Sequence, residues 1–157
     1  MRKGGKYKKQ EPQPDYKYNR IDMGRFINYL MSQGKKSVAE KVFYGALEEV
    51  EKKTKANPVE VFEKAMENTS PTVEVASRRV GGANYQIPIE VRPQRKFYLS
   101  SRWIINAARG KKGKPMHIRL AEEIIAASKN EGEAIKKKQD THRVAEANRA
   151  FASFLRR

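Results

Sequence analysis

The side chains best equipped for chemistry in this sequence are cations that come in clusters. They are Arg78-Arg79, Arg92, Arg95-Lys96, Lys111-Lys112 with Lys114, and Lys136-Lys137-Lys138. Grouped guanidinium and ammonium ions suit phosphate oxygens, which accept charge-assisted hydrogen bonds and release condensed counterions when neutralised. The 157-residue chain carries 34 Lys and Arg against 18 Asp and Glu, a formal charge of +16. That much self-repulsion implies a polyanionic partner, nucleic acid first of all. The charge is also segregated: residues 1–36 hold ten bases and three acids, and residues 77–119 hold eleven bases and one acid. Mildly acidic segments between these blocks point to a basic face and an opposite solvated one.

Other chemistries find no residues to run on. His117 and His142 are the only histidines, and neither has companions at metal-ligand spacing. Without cysteine there is no disulfide framework, thiolate ligand or thiol nucleophile. The glutamates fall on amphipathic surfaces, with no carboxylate pair in an apolar setting for acid–base work. No phosphate-loop pattern of the G-x-x-x-x-G-K-[ST] type occurs. The sequence therefore describes a binder, with no catalytic residue, no metal and no cofactor. An anionic membrane surface is a poorer partner than nucleic acid, since there is no long apolar run and the bases are spread over several segments. The N-terminus MRKGGKYKKQ lacks the apolar core of a secretory signal, so a cytoplasmic location is expected.

The elements that must carry these cations are mostly helices. Residues 1–20 have no period and are expected to form a flexible basic arm, with Lys3, Lys8 and Lys9 reaching for phosphates; residues 21–157 form a single helical domain. Met23, Phe26, Ile27 and Leu30 give a first amphipathic helix that Gly34 should end. Ser37 and Glu40 have capping-box spacing ahead of a second stripe, Ala39, Val42, Phe43, Ala46, Leu47 and Val50. Asn57-Pro58 opens a third helix with Phe62, Ala65 and Met66 inward. Pro93 opens a fourth, bearing Phe97, Ile104, Ala107 and Ala108 and ending at Gly110, with the lone Trp103 read as core packing. The GKKGKP connector brings Lys111, Lys112 and Lys114 to one short loop. A fifth helix has Ile118, Ala121, Ile124 and Ile125 inward and breaks at Asn130–Gly132. On the last helix Lys138, His142 and Arg149 line one side, and Val144, Ala147 and Phe151 the opposite, packing side.

Between the third and fourth helices lies the one strand-pair signal, Thr72–Lys96. Apolar residues alternate on both sides of Gly81–Gly82, which reads as an antiparallel β-hairpin with strands near 72–80 and 84–91. A two-residue turn would set Val75 opposite Pro88 and split the apolar faces. A three-residue Gly81–Ala83 loop would set Val75 opposite Ile89 and Val73 opposite Val91, so that register is expected. Arg78, Arg79 and Tyr85 would then stand near the tip of a basic ribbon. A DNA-architectural protein with a β-ribbon arm is the alternative reading, weakened because Pro88 lies within a strand and not at the tip.

These motifs, in this order, resemble the bacterial form of the small-subunit ribosomal protein seven family. The resemblance runs from about Asp22 to Phe151. It rests on GKKSVAE (Gly34–Glu40) with the YGALE that follows, NPVEVFEKAMEN (Asn57–Asn68), SRRVGGANYQIPIEVRPQRK (Ser77–Lys96), Arg102-Trp103 and KKKQDTHRVAEANRAF (Lys136–Phe151). It implies a mainly α bundle of about six helices with one protruding hairpin. It further implies binding to the 3′ major, or head, domain of small-subunit ribosomal RNA, help in nucleating head assembly, and a cytoplasmic, ribosome-bound chain. Neighbouring small-subunit proteins would be partners; a homo-oligomer would not. Lys35, Lys36, Arg92, Arg95, Lys96, Arg119, Lys136, Lys137, Lys138, His142 and Arg143 fall on matching basic positions and would contact rRNA. Arg78, Arg79, Gly81, Gly82 and Tyr85 would lie toward exit-site tRNA and the mRNA path. Lys3, Lys8, Lys9, Lys111, Lys112, Lys114 and Arg149 are rRNA candidates on charge alone. Ser100-Ser101 depart from the family, which is more aliphatic before Arg-Trp.

Overall fold

The computed structural model describes residues 12–80 and 82–150. Among these the elements are six helices and one two-stranded sheet: α1 (Ile21–Leu30), α2 (Lys36–Thr54), α3 (Pro58–Thr69), β1 (Val73–Val80), β2 (Ala83–Glu90), α4 (Pro93–Gly110), α5 (Met116–Ser128) and α6 (Glu133–Ala147). The chain is mainly α with one antiparallel hairpin, as expected. It divides into two compact units, Met1–Glu40 and Lys41–Arg157, with α2 running from one into the other.

In the first unit, a turn precedes α1. The buried Asp15 carboxylate accepts the backbone N–H groups of Lys17, Tyr18 and Arg20 at 2.9–3.1 Å, and Arg20 forms a bidentate pair with Asp22 in the first turn of α1. Three N–H donors on one carboxylate satisfy a buried charge that would otherwise be expensive. The end of the expected arm next to α1, Asp15–Arg20, is therefore a built turn; Lys3, Lys8 and Lys9 lie outside the described residues. Met23, Phe26, Ile27 and Leu30 are buried, as their spacing predicts, though α1 stops at Leu30, ahead of Gly34. The Ser37–Glu40 capping box does not form. The helix starts at Lys36, two residues before the Val38 that a Ser37 cap would make its first, and the Lys35 carbonyl already accepts from Ala39 N–H.

In the second unit, Phe43 of α2 meets Phe62 of α3 edge-on, with centroids 5.5 Å apart. Asn57 caps α3 through Val59 N–H and also donates to Glu60, with Pro58 in the first turn. α5 packs against α3, α4 and α6, and α6 also packs on both strands. Leu120, Ala121, Ile124, Ile104, Ile105 and Ala108 form the apolar centre of this contact, all solvent-inaccessible. Ser100 and Ser101 are buried too. Their hydroxyls donate to the Lys96 and Phe97 carbonyls one turn back, so two polar groups enter the core already satisfied.

The hairpin register differs from the expected one. Val80 pairs with Ala83, Val75 with Pro88 and Val73 with Glu90, so only two residues separate the paired strands, and Gly82 has φ +89. Proline decides this. Bonded and non-bonded pairs alternate along an antiparallel ladder, and Val91 N–H donates to Thr72 C=O. Counting from that bonded pair puts Val75–Pro88 at a non-bonded site, where the missing N–H points away from β1. In the longer-loop register, closed by a bonded Val80–Asn84 pair, Pro88 would face Ala76 at a bonded site and leave its carbonyl without a donor. The apolar faces are indeed split, and both are used near the root. Ile87 is fully buried, while Val73 and Val75 on the opposite face are half-buried.

Candidate nucleic-acid interface

The outer half of the hairpin is exposed on both faces: Ser77, Arg78 and Arg79 on one strand, Ala83 and Asn84 on the other. Side chains alternate along a strand, so the neighbouring arginines present to opposite faces of the ribbon. Arg78 shares its face with Tyr85 and Arg79 with Asn84. The pairing thus makes two small recognition faces, one with a guanidinium beside an aromatic ring and one with a guanidinium beside an amide.

The root of the hairpin is tied down by groups expected to touch RNA. Arg95, on the first turn of α4, pairs with Glu74 of β1 at 3.2 Å and lies 5.1 Å from the centre of the Tyr98 ring. His142 Nε2 accepts Thr72 N–H at 3.2 Å, and Lys138 Nζ donates to the Asn68 carbonyl at 2.6 Å. Asn68 in turn donates its amide to the Ala127 and Ser128 carbonyls at the end of α5. Asn68 has no signature in sequence, yet it joins α3, α5 and α6. Burial pulls the Lys138 ammonium below the usual lysine range. Burial, followed by repulsion from Lys138, likewise lowers the His142 imidazole below its usual value.

The faces expected for α6 are therefore reversed. Ala134, Ile135 and Ala145 are buried and Lys138 and His142 half-buried along the same side, whereas Val144 and Ala147 are exposed. Phe151 lies outside the described residues. The long lysine stem and the flat imidazole serve as packing surface while their polar ends find backbone partners.

Beyond α4, the cations split between fold and solvent. Lys111 Nζ forms an ion pair at 2.7 Å with Oε2 of Glu123, a carboxylate with no solvent exposure. The other oxygen, Oε1, accepts Ala134 N–H in the first turn of α6 at 2.9 Å. Glu123 is thus a buried helix cap, where the sequence suggested a surface glutamate. Arg119 donates to the Arg109 and Lys111 carbonyls, closing the end of α4. Lys114 pairs with Glu122 at 2.5 Å and holds that carboxyl below its usual range. On α6 the exposed pairs are Lys136–Glu133, Arg143–Asp140 and, just beyond it, Arg149–Glu146, the weak surface kind. The side chains of Lys35, Lys36, Arg79, Arg92, Lys96, Lys112 and Lys137 have no partner among the described residues.

Trp103 is not core. It is half-buried and lines a groove of about 440 Å³ between α4 and α6, together with Asn106 and Ala107 on one wall and Glu133, Lys136, Lys137 and Asp140 on the other. Its neighbour Ile104 takes the buried position instead. No group of three or more His, Asp or Glu side chains among the described residues could hold a metal ion.

Comparison with known proteins bears on this arrangement. The family model described as ribosomal protein S7p/S5e matches residues 1–149. The chain belongs to that family. It is 55% identical over 146 residues to the small ribosomal subunit protein uS7 of Nitrosomonas europaea, covering 93% of this chain and 94% of the relative. To the uS7 of Thermotoga maritima it is 54% identical over 154 residues, covering 98% and 99%. To that of Neisseria gonorrhoeae it is 53% identical over 146 residues, covering 93% and 94%. The family is structural, RNA-binding and non-enzymatic.

Proposed function

We propose that this chain is a structural constituent of the small ribosomal subunit that binds the 3′ major domain of its rRNA and helps nucleate folding of the head. The supporting observation is membership of a family whose uS7 relatives match it over nearly their whole length. It coincides with a set of cations left unpartnered on the described surface: Lys35, Lys36, Arg79, Arg92, Lys96, Lys112 and Lys137. These supply phosphate neutralisation, while the fixed hairpin and helix ends supply shape, the property by which folded RNA is distinguished from other polyanions. Arg95, Arg119, Lys138 and His142 act chiefly by holding that shape. The Arg78/Tyr85 and Arg79/Asn84 faces of the hairpin reach toward exit-site tRNA and the mRNA path, next to neighbouring small-subunit proteins. The chain works ribosome-bound in the cytoplasm.

Competition binding tests this reading, using a head-domain rRNA fragment against duplex DNA of equal charge over a salt series. If six to ten phosphates are neutralised, affinity falls by roughly three to five decades between 50 and 200 mM salt, and the rRNA preference persists as salt rises. Equal affinity for both nucleic acids at every salt concentration refutes it.

A further inference from the structure

The geometry points to the groove between α4 and α6 as a pocket for one unstacked nucleotide of single-stranded or bulged RNA, with its base lying on Trp103. This rests on the RNA-binding reading and adds a base-contacting site on the helical body, apart from the hairpin faces.

Trp103, Asn106 and Ala107 stand at i, i+3 and i+4 of α4, and Glu133, Lys136, Lys137 and Asp140 at i, i+3, i+4 and i+7 of α6, so the groove has two continuous helical walls. Helices that pack fully would close such a gap with apolar side chains. Here the only large apolar surface is the indole, and Ala107 beside it leaves room. At about 440 Å³ the space falls in the range of small-ligand sites.

The polar groups suit a nucleotide better than a peptide or lipid. The Asn106 amide offers a donor and an acceptor to a base edge, and the half-buried Asp140 carboxylate offers an acceptor for an exocyclic amine. Asp140 is neutralised by Arg143 at 2.7 Å and Glu133 faces Lys136 at 3.8 Å, so neither acid leaves net negative charge at the mouth. Lys137 has no ion-pair partner among the described residues and is available to the attached phosphate. Stacking on an aromatic face tolerates any base, while the amide and carboxylate favour one that carries an amino group.

Trp103 is the sole tryptophan, so its fluorescence reports on this groove alone. The full chain is titrated with a twelve-residue oligoadenylate, with an abasic backbone of the same length, and with inorganic polyphosphate, while binding is followed independently by anisotropy of labelled oligomers. The expected result is saturable quenching by oligoadenylate only. Trp103→Leu and the exposed Asn106→Ala, both checked for folding by circular dichroism, should weaken oligoadenylate binding, the former by about five- to a hundred-fold. Oligoadenylate binding with unchanged Trp103 emission, or a folded Trp103→Leu protein that binds as well as the parent, overturns the pocket and leaves the RNA-binding reading intact. Failure to bind oligoadenylate or the head-domain rRNA fragment at all overturns both.

Discussion

Replacing Glu123 by alanine should destabilise the protein more than any surface charge substitution. The carboxylate has no solvent exposure, accepts Ala134 N–H at 2.9 Å in the first turn of α6, and lies 2.7 Å from Lys111 Nζ. Losing the charge-assisted bond to the helix N-terminus costs about 1.5–3 kcal/mol. Stranding the partner of a fully buried pair costs ~3–5 kcal/mol, but Lys111 keeps a third of its side chain exposed and can rehydrate, so that contribution falls well below the range. The two losses overlap, and about 3 kcal/mol is expected in total, with the cavity as part of it. For a chain of this size that is roughly 6–12 °C in Tm. Glu123→Gln retains an acceptor for Ala134 N–H and loses only the charge, so about 1 kcal/mol and roughly 2–4 °C are expected. Urea and thermal unfolding followed by circular dichroism measure both. Since Lys111 is freed and not removed, phosphate affinity measured well below Tm should not fall. An alanine variant within about 0.5 kcal/mol of the parent, the usual range for surface changes, refutes the assignment of Glu123 as a buried cap, as does a glutamine variant equally damaged.

Gly132→Ala should also unfold α6 early. The residue sits at φ +95, ψ 171, a region open essentially to glycine alone, and a Cβ would come within 2.8 Å of Glu123 Oε1, so a loss of at least ~1–3 kcal/mol should appear in the same melts. Asn57→Ala removes the α3 cap and should cost ~1 kcal/mol, with Asn57→Asp largely retaining it. Neutral His142 accepts Thr72 N–H and its imidazole titrates below the usual 6.5. Its contribution is therefore present above about pH 6.5 and is lost as pH falls through the lower folded value; the pH 5–7.5 stability profile of His142→Gln should be flatter than the parent's. Arg78→Ala with Arg79→Ala should leave Tm unchanged, because both side chains are exposed, and should weaken RNA binding with a shallower salt slope.

Element types and most core positions were legible in the sequence because periodic burial is a local signal. Met23, Phe26, Ile27 and Leu30 had no other way to be covered on a helix, and Asn57-Pro58 has one natural use. Lys138, His142 and Glu123 differ from their sequence pattern for one reason: the partner of each side chain is distant in sequence. Lys138 and His142 look like a basic face until the Asn68 carbonyl and Thr72 N–H, both 70 residues away, take their polar ends. Glu123 looks exposed until the first turn of α6 arrives with bare amides. Trp103 looks like core because its neighbour Ile104 is. The hairpin register turns on a different balance: pairing valine with isoleucine on one face favours the longer loop, but Pro88 cannot donate and overrides it, and a ribbon covered on both faces at its root has little need of a single apolar face.

The placement of Pro88 also bears on how the free chain survives before it meets a partner. A two-stranded sheet has nothing but edges, and each edge is a template onto which a second copy could add a strand. At a non-bonded site, an N–H of β2 would point outward along one of those edges, and at Pro88 that donor does not exist. Toward the tip, Arg78 and Arg79 would face the same pair in an approaching copy of a chain already carrying +16. A broken edge and mutual repulsion at the tip both disfavour strand addition by a second copy, and neither opposes the approach of an anion.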